Sequence, residues 1–298
     1  MNLYLKRIKQ SVVAAAFLYF SVLQAGTQGH CAELIIIGDV KLKPVADVIS
    51  GIKKSLGSSI RVIPTNDIND NLGRIFATEN GKVVVALGKD AVDKTIFLPP
   101  TIPVISSLVI IPPKVIRPNT TCIYIATPVN EYLALLRHYF PSLKRIAAAG
   151  SPDTLRLLGA GSEGYIFPRQ ASNSFDLVNK VKQLTGFDAL LLMPDVSLLT
   201  STALDEIYLH SFRNRLPVIG VSEKHVRQGA LFALVFNAQD LGRQIGEKSA
   251  EILGGSDISL LPSLNTRKFD LFINTETAQK MGIAVSEELV RRAKKVYP

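Results

Sequence analysis

Residue types on which catalysis and metal binding often depend are scarce in this sequence of 298 residues. It has two cysteines, four histidines and no tryptophan. Two cysteines cannot build a disulfide framework, and the lack of tryptophan removes the largest aromatic stacking surface. The histidines lie far apart, without the spacing of metal ligands, so we expect no metal site. They are His30, His138, His210 and His225.

Short motifs of common enzyme classes are also missing. The sequence has no Walker A loop, and no G-x-G-x-x-G motif stands at a turn from a strand to a helix. The run Gly161–Gly164 contains a serine between glycines, but its spacing does not fit the G-x-S-x-G nucleophile turn. We therefore predict that the protein is not an enzyme and needs no cofactor.

The charge pattern argues against nucleic acid as a partner. The net charge is +9, but acidic residues are interspersed with the basic ones and no long basic run occurs. With 47% hydrophobic residues the chain can bury substantial cores, and its length predicts about two domains.

The first 32 residues have the pattern of a targeting segment. Lys6, Arg7 and Lys9 precede an apolar run, Val12–Leu23, which is followed by small residues. A run of this length is shorter than the roughly 20 residues that a membrane-spanning helix needs. We predict a signal peptide over residues 1–32 and a periplasmic or secreted protein. An uncleaved N-terminal anchor is the alternative.

Beyond residue 33, short apolar runs alternate with segments of helical periodicity. Leu34–Ile37, Val83–Leu87 and Asp188–Met193 are examples of the apolar runs. This alternation predicts an α/β fold with parallel sheets and crossover helices. Ligands in such folds bind beyond the carboxyl ends of the strands, where polar residues become candidates for binding.

Candidates in the first half of the chain follow the first, third and fourth predicted strands. A helix that begins near Lys89 would offer free backbone N–H groups to an anion, and paired serine hydroxyls could orient a polar ligand. The alternatives are a solvated Lys89 and a glycine, Gly88, that only forms a turn. The candidate ligand-binding residues here are Gly38, Asp39, Gly88, Lys89, Ser106 and Ser107.

Candidates in the second half are Thr127, Asp195, Ser222 and Glu223. A carboxylate at the end of a strand, such as Asp195, could bind an amine or the hydroxyls of a ligand. It could equally form a turn or cap the following helix. Ser222 and Glu223 begin a polar loop directly after the apolar run Val218–Val221.

The segment Pro217–Leu253, together with the later runs KFDLFIN, TAQKMG and SEELVRRA, resembles the ABC transporter substrate-binding protein family. The residues that carry the resemblance are Pro217, Gly220, Ser222, Glu223, Val226, Gly229, Ala230, Leu231, Leu241, Gly242, Arg243, Gln244, Phe269, Asp270, Ile273, Asn274, Thr277, Ala278 and Gly282.

The resemblance implies a fold like that of type I periplasmic binding proteins, with two Rossmann-like lobes of parallel sheet joined by hinge strands. We expect residues 33–125 with about 232–258 in the first lobe, and residues 126–231 with about 259–298 in the second. The function it implies is binding of a small solute, such as an amino acid, between lobes that close by hinge bending, followed by docking on the membrane permease of an ABC transporter. The alternative is a sensor or accessory module that signals to a protein partner.

Overall fold

The computed structural model describes residues 32–68, 72–111, 117–159 and 162–298. Their fold is α/β, with two separate sheets whose strands are mostly parallel. This confirms the predicted fold class. Apart from Ala32, the predicted signal peptide lies outside the described residues.

The first sheet has six strands among the described residues, and all of its pairings are parallel. Its central strands are runs of valine, isoleucine and leucine buried on both faces, as helices on both sides of a parallel sheet require. The strands, in chain order, are β1 (Leu34–Gly38), β2 (Ile60–Ile63), β3 (Val83–Leu87), β4 (Val104–Ser107), β5 (Thr120–Tyr124) and β11 (Leu264–Asn265). Across the sheet the order is β11-β5-β4-β3-β1-β2.

The second sheet has seven strands among the described residues. They are β6 (Ile146–Gly150), β7 (Ile166–Gln170), β8 (Ala189–Leu192), β9 (Val218–Gly220), β10 (Phe232–Phe236), β12 (Phe269–Asn274) and β13 (Lys295–Tyr297). Their order across the sheet is β13-β12-β10-β9-β8-β6-β7, and the pairing of β10 with β12 is antiparallel.

Helices cover the sheets. The first begins at Lys43 with Pro44 in its first turn, where the missing N–H costs nothing, and buries the stripe Val45, Val48, Ile49 and Ile52. No helix in the described ranges is long and apolar enough to cross a membrane. The helices are α1 (Lys43–Ser55), α2 (Leu72–Thr78), α3 (Lys89–Thr95), α4 (Val129–Tyr139), α5 (Pro152–Leu155), α6 (Ser174–Lys182), α7 (Ser201–Asn214), α8 (Glu223–Arg227), α9 (Ala238–Leu253), α10 (Thr275–Met281) and α11 (Glu287–Arg292). Short 3-10 helices span Thr65–Asp67, Arg156–Leu158 and Ile258–Leu260.

Within the described residues, the chain passes between the two sheets three times. It leaves the first sheet after β5 through residues 125–128, and returns at Asn237, which joins β10 to α9. It crosses again through residues 266–268, between β11 and β12. Helix α9 belongs with the first sheet, because Leu241, Ile245 and Ile252 pack in the same core as β1 and β3.

Sheet membership differs from the predicted boundaries near the second and third crossings. We expected residues 232–258 with the first lobe, but strand β10 pairs with β9 and β12 in the second sheet. We expected residue 259 to begin the return to the second lobe, but β11 pairs with β5 in the first sheet. An apolar strand after a polar loop has the same local sequence pattern in either sheet. Hydrogen bonding to distant strands decides where it pairs.

Candidate ligand-binding cleft

A cavity of about 280 Å³ lies between the two sheets, at the carboxyl ends of β8, β9 and β10. This is the place where parallel α/β sheets bind ligands. Segments on both sides of the cleft contribute to its wall, which is formed mostly by aliphatic side chains. The lining residues are Pro44, Ile110, Ile125, Ala126, Thr127, Val129, Tyr132, Leu157, Leu158, Leu191, Leu192, Met193, Pro194, Val221, Ser222, Leu234, Val235 and Phe236.

Three side chains in this wall carry hydroxyl groups, and none of the lining residues is charged. Thr127 donates a hydrogen bond from Oγ1 to the carbonyl oxygen of Leu234, at 3.0 Å. Tyr132 is buried, and burial raises the pKa of its hydroxyl to about 12, an effect partly opposed by a hydrogen bond with Thr127. The hydroxyls of Thr127 and Tyr132 therefore form a neutral polar spot in an apolar wall.

The third hydroxyl, that of Ser222, caps the short helix α8. Its Oγ accepts a hydrogen bond from the backbone N–H of His225 at 3.2 Å, as an N-cap residue does. The ring of His225 in turn accepts a hydrogen bond at Nδ1 from the N–H of Val221, at 3.3 Å. Burial, with a smaller effect of Lys224, lowers the pKa of His225 to about 4, so the ring is neutral at pH 7 and can accept this bond. His225 thus supports the loop that lines the cavity.

A second cavity, of about 420 Å³, adjoins the first on the side of the first sheet. The two share Pro44, Ile125 and Phe236. Unlike the first, the second cavity has charged and amide side chains in its wall. The charged and amide residues are Asp39, Asn66, Lys89 and Asp90, and Thr65 adds a hydroxyl group. The cleft therefore has an apolar part and a polar part beside it.

The polar part is built at the ends of β1 and β3. Gly88 has φ of +94°, a conformation that favours glycine, and it caps α3. Lys89 is solvent-exposed and forms an ion pair with Asp93, at 2.5 Å, which raises the pKa of Lys89. Asp39 accepts a hydrogen bond at Oδ1 from the N–H of Lys41 at 3.0 Å, which stabilises the turn after β1.

The structure brings five of the ten sequence candidates to these two cavities. Asp39, Gly88 and Lys89 line the polar part, whereas Thr127 and Ser222 line the apolar part. The other five are not among the lining residues of either cavity.

Three of those five lie in the first sheet. Gly38 is buried at the end of β1, where a Cβ atom would lie 3.0 Å from Val45 Cγ1. Ser106 and Ser107 are buried and donate hydrogen bonds to backbone carbonyl oxygens of the neighbouring strand β5, at 3.2 and 2.8 Å. Both hydroxyls are therefore occupied by contacts within the sheet.

The remaining two candidates are the carboxylates. Asp195 accepts hydrogen bonds at Oδ1 from the N–H and hydroxyl of Ser197, at 3.0 and 2.6 Å, and forms the turn after β8. Burial acts to raise the pKa of Asp195, but hydrogen bonds from Ser151 and Ser197 outweigh it and lower the pKa. Glu223 contacts Tyr297 and Lys295 of β13, and the hydrogen bond from Tyr297 is the main cause of its lowered pKa.

Sequence reasoning missed the apolar wall of the cleft. Ile125, Met193 and Phe236 stand at or just after the ends of β5, β8 and β10, the same positions at which we sought polar residues. The position of these residues at the strand ends could have indicated that they line the cleft. Their apolar side chains gave no such indication, because an apolar residue at the end of a strand is usually part of the core.

Solved structures with the same fold cover most of this chain. A ligand-free, open substrate binding protein with adhesive properties from Clostridium difficile gives a TM-score of 0.71 at 18% identity, covering 89% of this chain and 99% of that chain. The ABC domain in complex with L-Trp from Streptococcus pneumoniae gives 0.61 at 17% identity, with coverages of 89% and 99%. A conserved domain protein from Vibrio cholerae gives 0.60 at 21% identity, also with coverages of 89% and 99%.

Comparison with curated proteins found no significant match. Within the described ranges, no group of three or more histidine, cysteine, aspartate or glutamate side chains is arranged to hold a metal ion. The family model for ABC transporter substrate binding proteins matches residues 65–297, which is most of the chain. Together with the two-sheet fold and the cleft between the sheets, this match shows that the chain belongs to the ABC transporter substrate binding protein family.

Proposed function

We propose that this protein is an extracytoplasmic solute-binding protein of an ABC uptake system, and that its ligand is a small molecule with an apolar side chain. The observation that carries the proposal is the cavity of about 280 Å³, whose walls come from both sides of the cleft and contain no charged side chain. Charged or highly hydroxylated solutes would lose hydrogen bonds with water there and find few partners.

The size and chemistry of the two cavities narrow the class of ligand. Burial of an aromatic side chain removes on the order of 150 Å² of apolar surface from water, which contributes about 4 kcal/mol to binding. The adjoining polar cavity, with Asp39 and Lys89 in its wall, offers groups of both signs to an ammonium and a carboxylate. An amino acid with an aromatic or large aliphatic side chain fits both parts. The streptococcal neighbour in complex with L-Trp supports this class.

Binding is coupled to hinge closure. Pro44 and Ile110 contribute to the wall from the first sheet's side, whereas Leu191 and Val221 contribute from the second. A ligand gains contacts with both sides only when the lobes are close, so it stabilises the closed state. The three crossings at residues 125–128, 237 and 266–268 are the segments that bend, and three connections restrict the motion to closure.

The proposed cellular context rests on the family and on the predicted signal peptide. Members of the family work with the permease of an ABC transporter, so we propose a membrane permease as the partner that receives the closed, loaded form. Residues 1–32 are proposed to direct the chain out of the cytoplasm to the periplasm or the medium.

The test is a thermal-shift screen of the chain from Glu33 onward. L-Trp, L-Phe and L-Leu are compared with L-Asp, L-Lys and glucose. At about 100 times its dissociation constant, a ligand adds about 2.7 kcal/mol to the free energy of unfolding, which a raised Tm reports. We expect shifts with the apolar amino acids and none with the other solutes. Shifts confined to the charged amino acids or to glucose, or an absence of shifts throughout, would contradict the proposal.

A further inference from the structure

A third cavity, of about 290 Å³, lies outside the ligand cleft, at the segments that join the two sheets. Asn237 belongs to the second crossing and Lys268 to the third, and both are part of its wall. Arg267 also belongs to the third crossing, and the rest of the wall comes from α4, β10, β12 and α11 of the second lobe. The lining residues are Glu131, Leu135, Leu234, Asn237, Arg267, Lys268, Phe269, Asp270 and Arg292.

Three of the lining side chains are basic, and all three are solvent-exposed. Arg267 pairs with Glu247 at 2.7 Å, and Lys268 approaches Asp240 at 3.6 Å. Arg292 has no carboxylate partner within the described ranges, and its guanidinium carbon lies 5.9 Å from the ring centre of Tyr139. Arg292 therefore leaves its hydrogen-bond donors available to a ligand.

The two acidic residues of the wall, Asp270 and Glu131, differ in their contacts. The carboxylate of Asp270 already accepts hydrogen bonds from Lys294 at 2.5 Å and from Asn237 Nδ2 at 2.9 Å. This leaves Glu131, on the first turn of α4, as the carboxylate of the wall that has no hydrogen-bond or ion-pair partner within the described residues. The wall thus has three basic and two acidic residues, and Arg292 and Glu131 are the two of these five without an ion-pair partner within the described residues.

The cavity lies next to the ligand cleft. Leu234 of β10 lines both cavities, and the first turn of α4 contributes Val129 to the cleft and Glu131 to the third cavity. A group held in the third cavity would contact the second and third crossings and the second lobe together. It would therefore restrain segments whose backbone must change when the lobes close.

We propose that this third cavity binds a small anion, a phosphate or a carboxylate, through Arg292, Arg267 and Lys268. The guanidinium groups would form charge-assisted hydrogen bonds with the anion oxygens. By holding residues 267 and 268 against α11, the bound anion shifts the balance between open and closed forms. That last effect rests on the proposed function, because it requires hinge closure, whereas binding of the anion does not.

The primary test is isothermal titration calorimetry of the chain from Glu33 with inorganic phosphate, at constant ionic strength. The wild type is compared with Arg292→Gln, and with Arg291→Gln as the matched control. Arg291 is also exposed on α11, pairs with Glu287 at 3.4 Å and does not line the cavity. We expect Arg292→Gln to weaken phosphate binding about tenfold or more, since it removes hydrogen bonds between charged groups. Arg291→Gln should change it less than about twofold.

A second variant should change the affinity for phosphate in the opposite direction. Glu131→Gln removes the one uncompensated acid, so phosphate should bind several-fold more tightly. Equal weakening by Arg291→Gln and Arg292→Gln would overturn the site, as would an absence of phosphate binding in the wild type and in Glu131→Gln. Both arginines are exposed, so neither substitution should unfold the protein. An unchanged Tm of the two variants would show that any loss of phosphate binding is not caused by unfolding.

The effect on closure is measured separately by small-angle scattering with and without saturating phosphate. We expect a change in the radius of gyration. An unchanged radius would overturn the effect on closure. Failure of the solute screen, in contrast, would overturn the proposed function and leave phosphate binding at Arg292 standing.

Discussion

Gly242 of α9 packs directly against Gly51 of α1, so closely that a Cβ atom on Gly242 would lie 2.8 Å from the Cα atom of Gly51. The backbone of Val48 is closer still to that position. The contact fixes α9, which follows the second crossing, to a helix of the first lobe. In the proposed closure, α9 would therefore move with the first lobe while the segment at Asn237 bends.

Gly242→Ala should lower the free energy of unfolding by about 1 to 3 kcal/mol, because a buried methyl group would force the two helices apart. Urea denaturation measures the change. Gly73→Ala is the control: Gly73 is in helix α2, where a Cβ atom would meet no neighbour within 4 Å. That substitution should be neutral or stabilise by up to about 1 kcal/mol, because alanine favours helix. Similar losses in the two variants would contradict the packing argument.

The pKa of His225 predicts a loss of stability in weak acid. Its folded-state pKa is about 4, below the ordinary value of 6.5, so between these values the unfolded chain binds a proton that the folded chain excludes. The free energy of unfolding should therefore fall by about 2 kcal/mol from pH 7 to pH 5 through this residue. Urea denaturation at pH 7 and at pH 5 measures this change in the free energy of unfolding.

In that experiment His225→Gln should reduce the pH dependence, since the titrating group is gone. His138→Gln, on the exposed side of α4, should keep the wild-type dependence. An unchanged pH dependence in His225→Gln would show that the ring is protonated in the folded state at pH 5.

Filling the apolar cavity should weaken binding without unfolding the protein. Ala126 lines that cavity, and Ala126→Leu adds three carbon atoms to its wall. We expect the affinity for the best amino acid in the screen to fall about tenfold or more, equivalent to about 1.4 kcal/mol. Ala134→Leu, at an exposed position of α4, should bind as the wild type does. Calorimetric titration measures the affinity of each variant for the amino acid. If Ala126→Leu and Ala134→Leu bind it equally well, the ligand does not occupy the apolar cavity.

Asp195→Ala should affect stability more than binding. The side chain accepts hydrogen bonds from Ser197 and Leu198 and lines neither cavity of the cleft. Loss of these hydrogen bonds should lower the free energy of unfolding by about 1 to 2 kcal/mol and change the affinity for the solute little. A large loss of affinity at unchanged Tm would favour the role in ligand binding that the sequence suggested.

The sequence was sufficient for the central strands β1 and β3 of the first sheet. The apolar run Val83–Leu87 is a strand within the same bounds in the structure, because five consecutive apolar residues flanked by turn signals have few other local solutions. Gly88 is a candidate ligand-binding residue with a turn as the alternative, and its φ of +94° agrees with a turn.

The candidate site was predictable only in part. The rule that ligands bind beyond strand ends located the cleft, and Thr127 and Ser222 line it. The rule did not show which residues at those ends line the cavity. Glu223, next to Ser222, turns instead to Lys295 and Tyr297, over 70 residues away in sequence.

By itself the sequence determined the α/β class, the resemblance to the family and the positions of several strands, because these depend on local periodicity and on residues close together in the chain. Only the tertiary structure decided that β10 pairs in the second sheet, that Asp195 forms a turn and that the cleft has an apolar wall. Each of these depends on which distant segments meet, and the direction of a side chain at a strand end is set by those contacts.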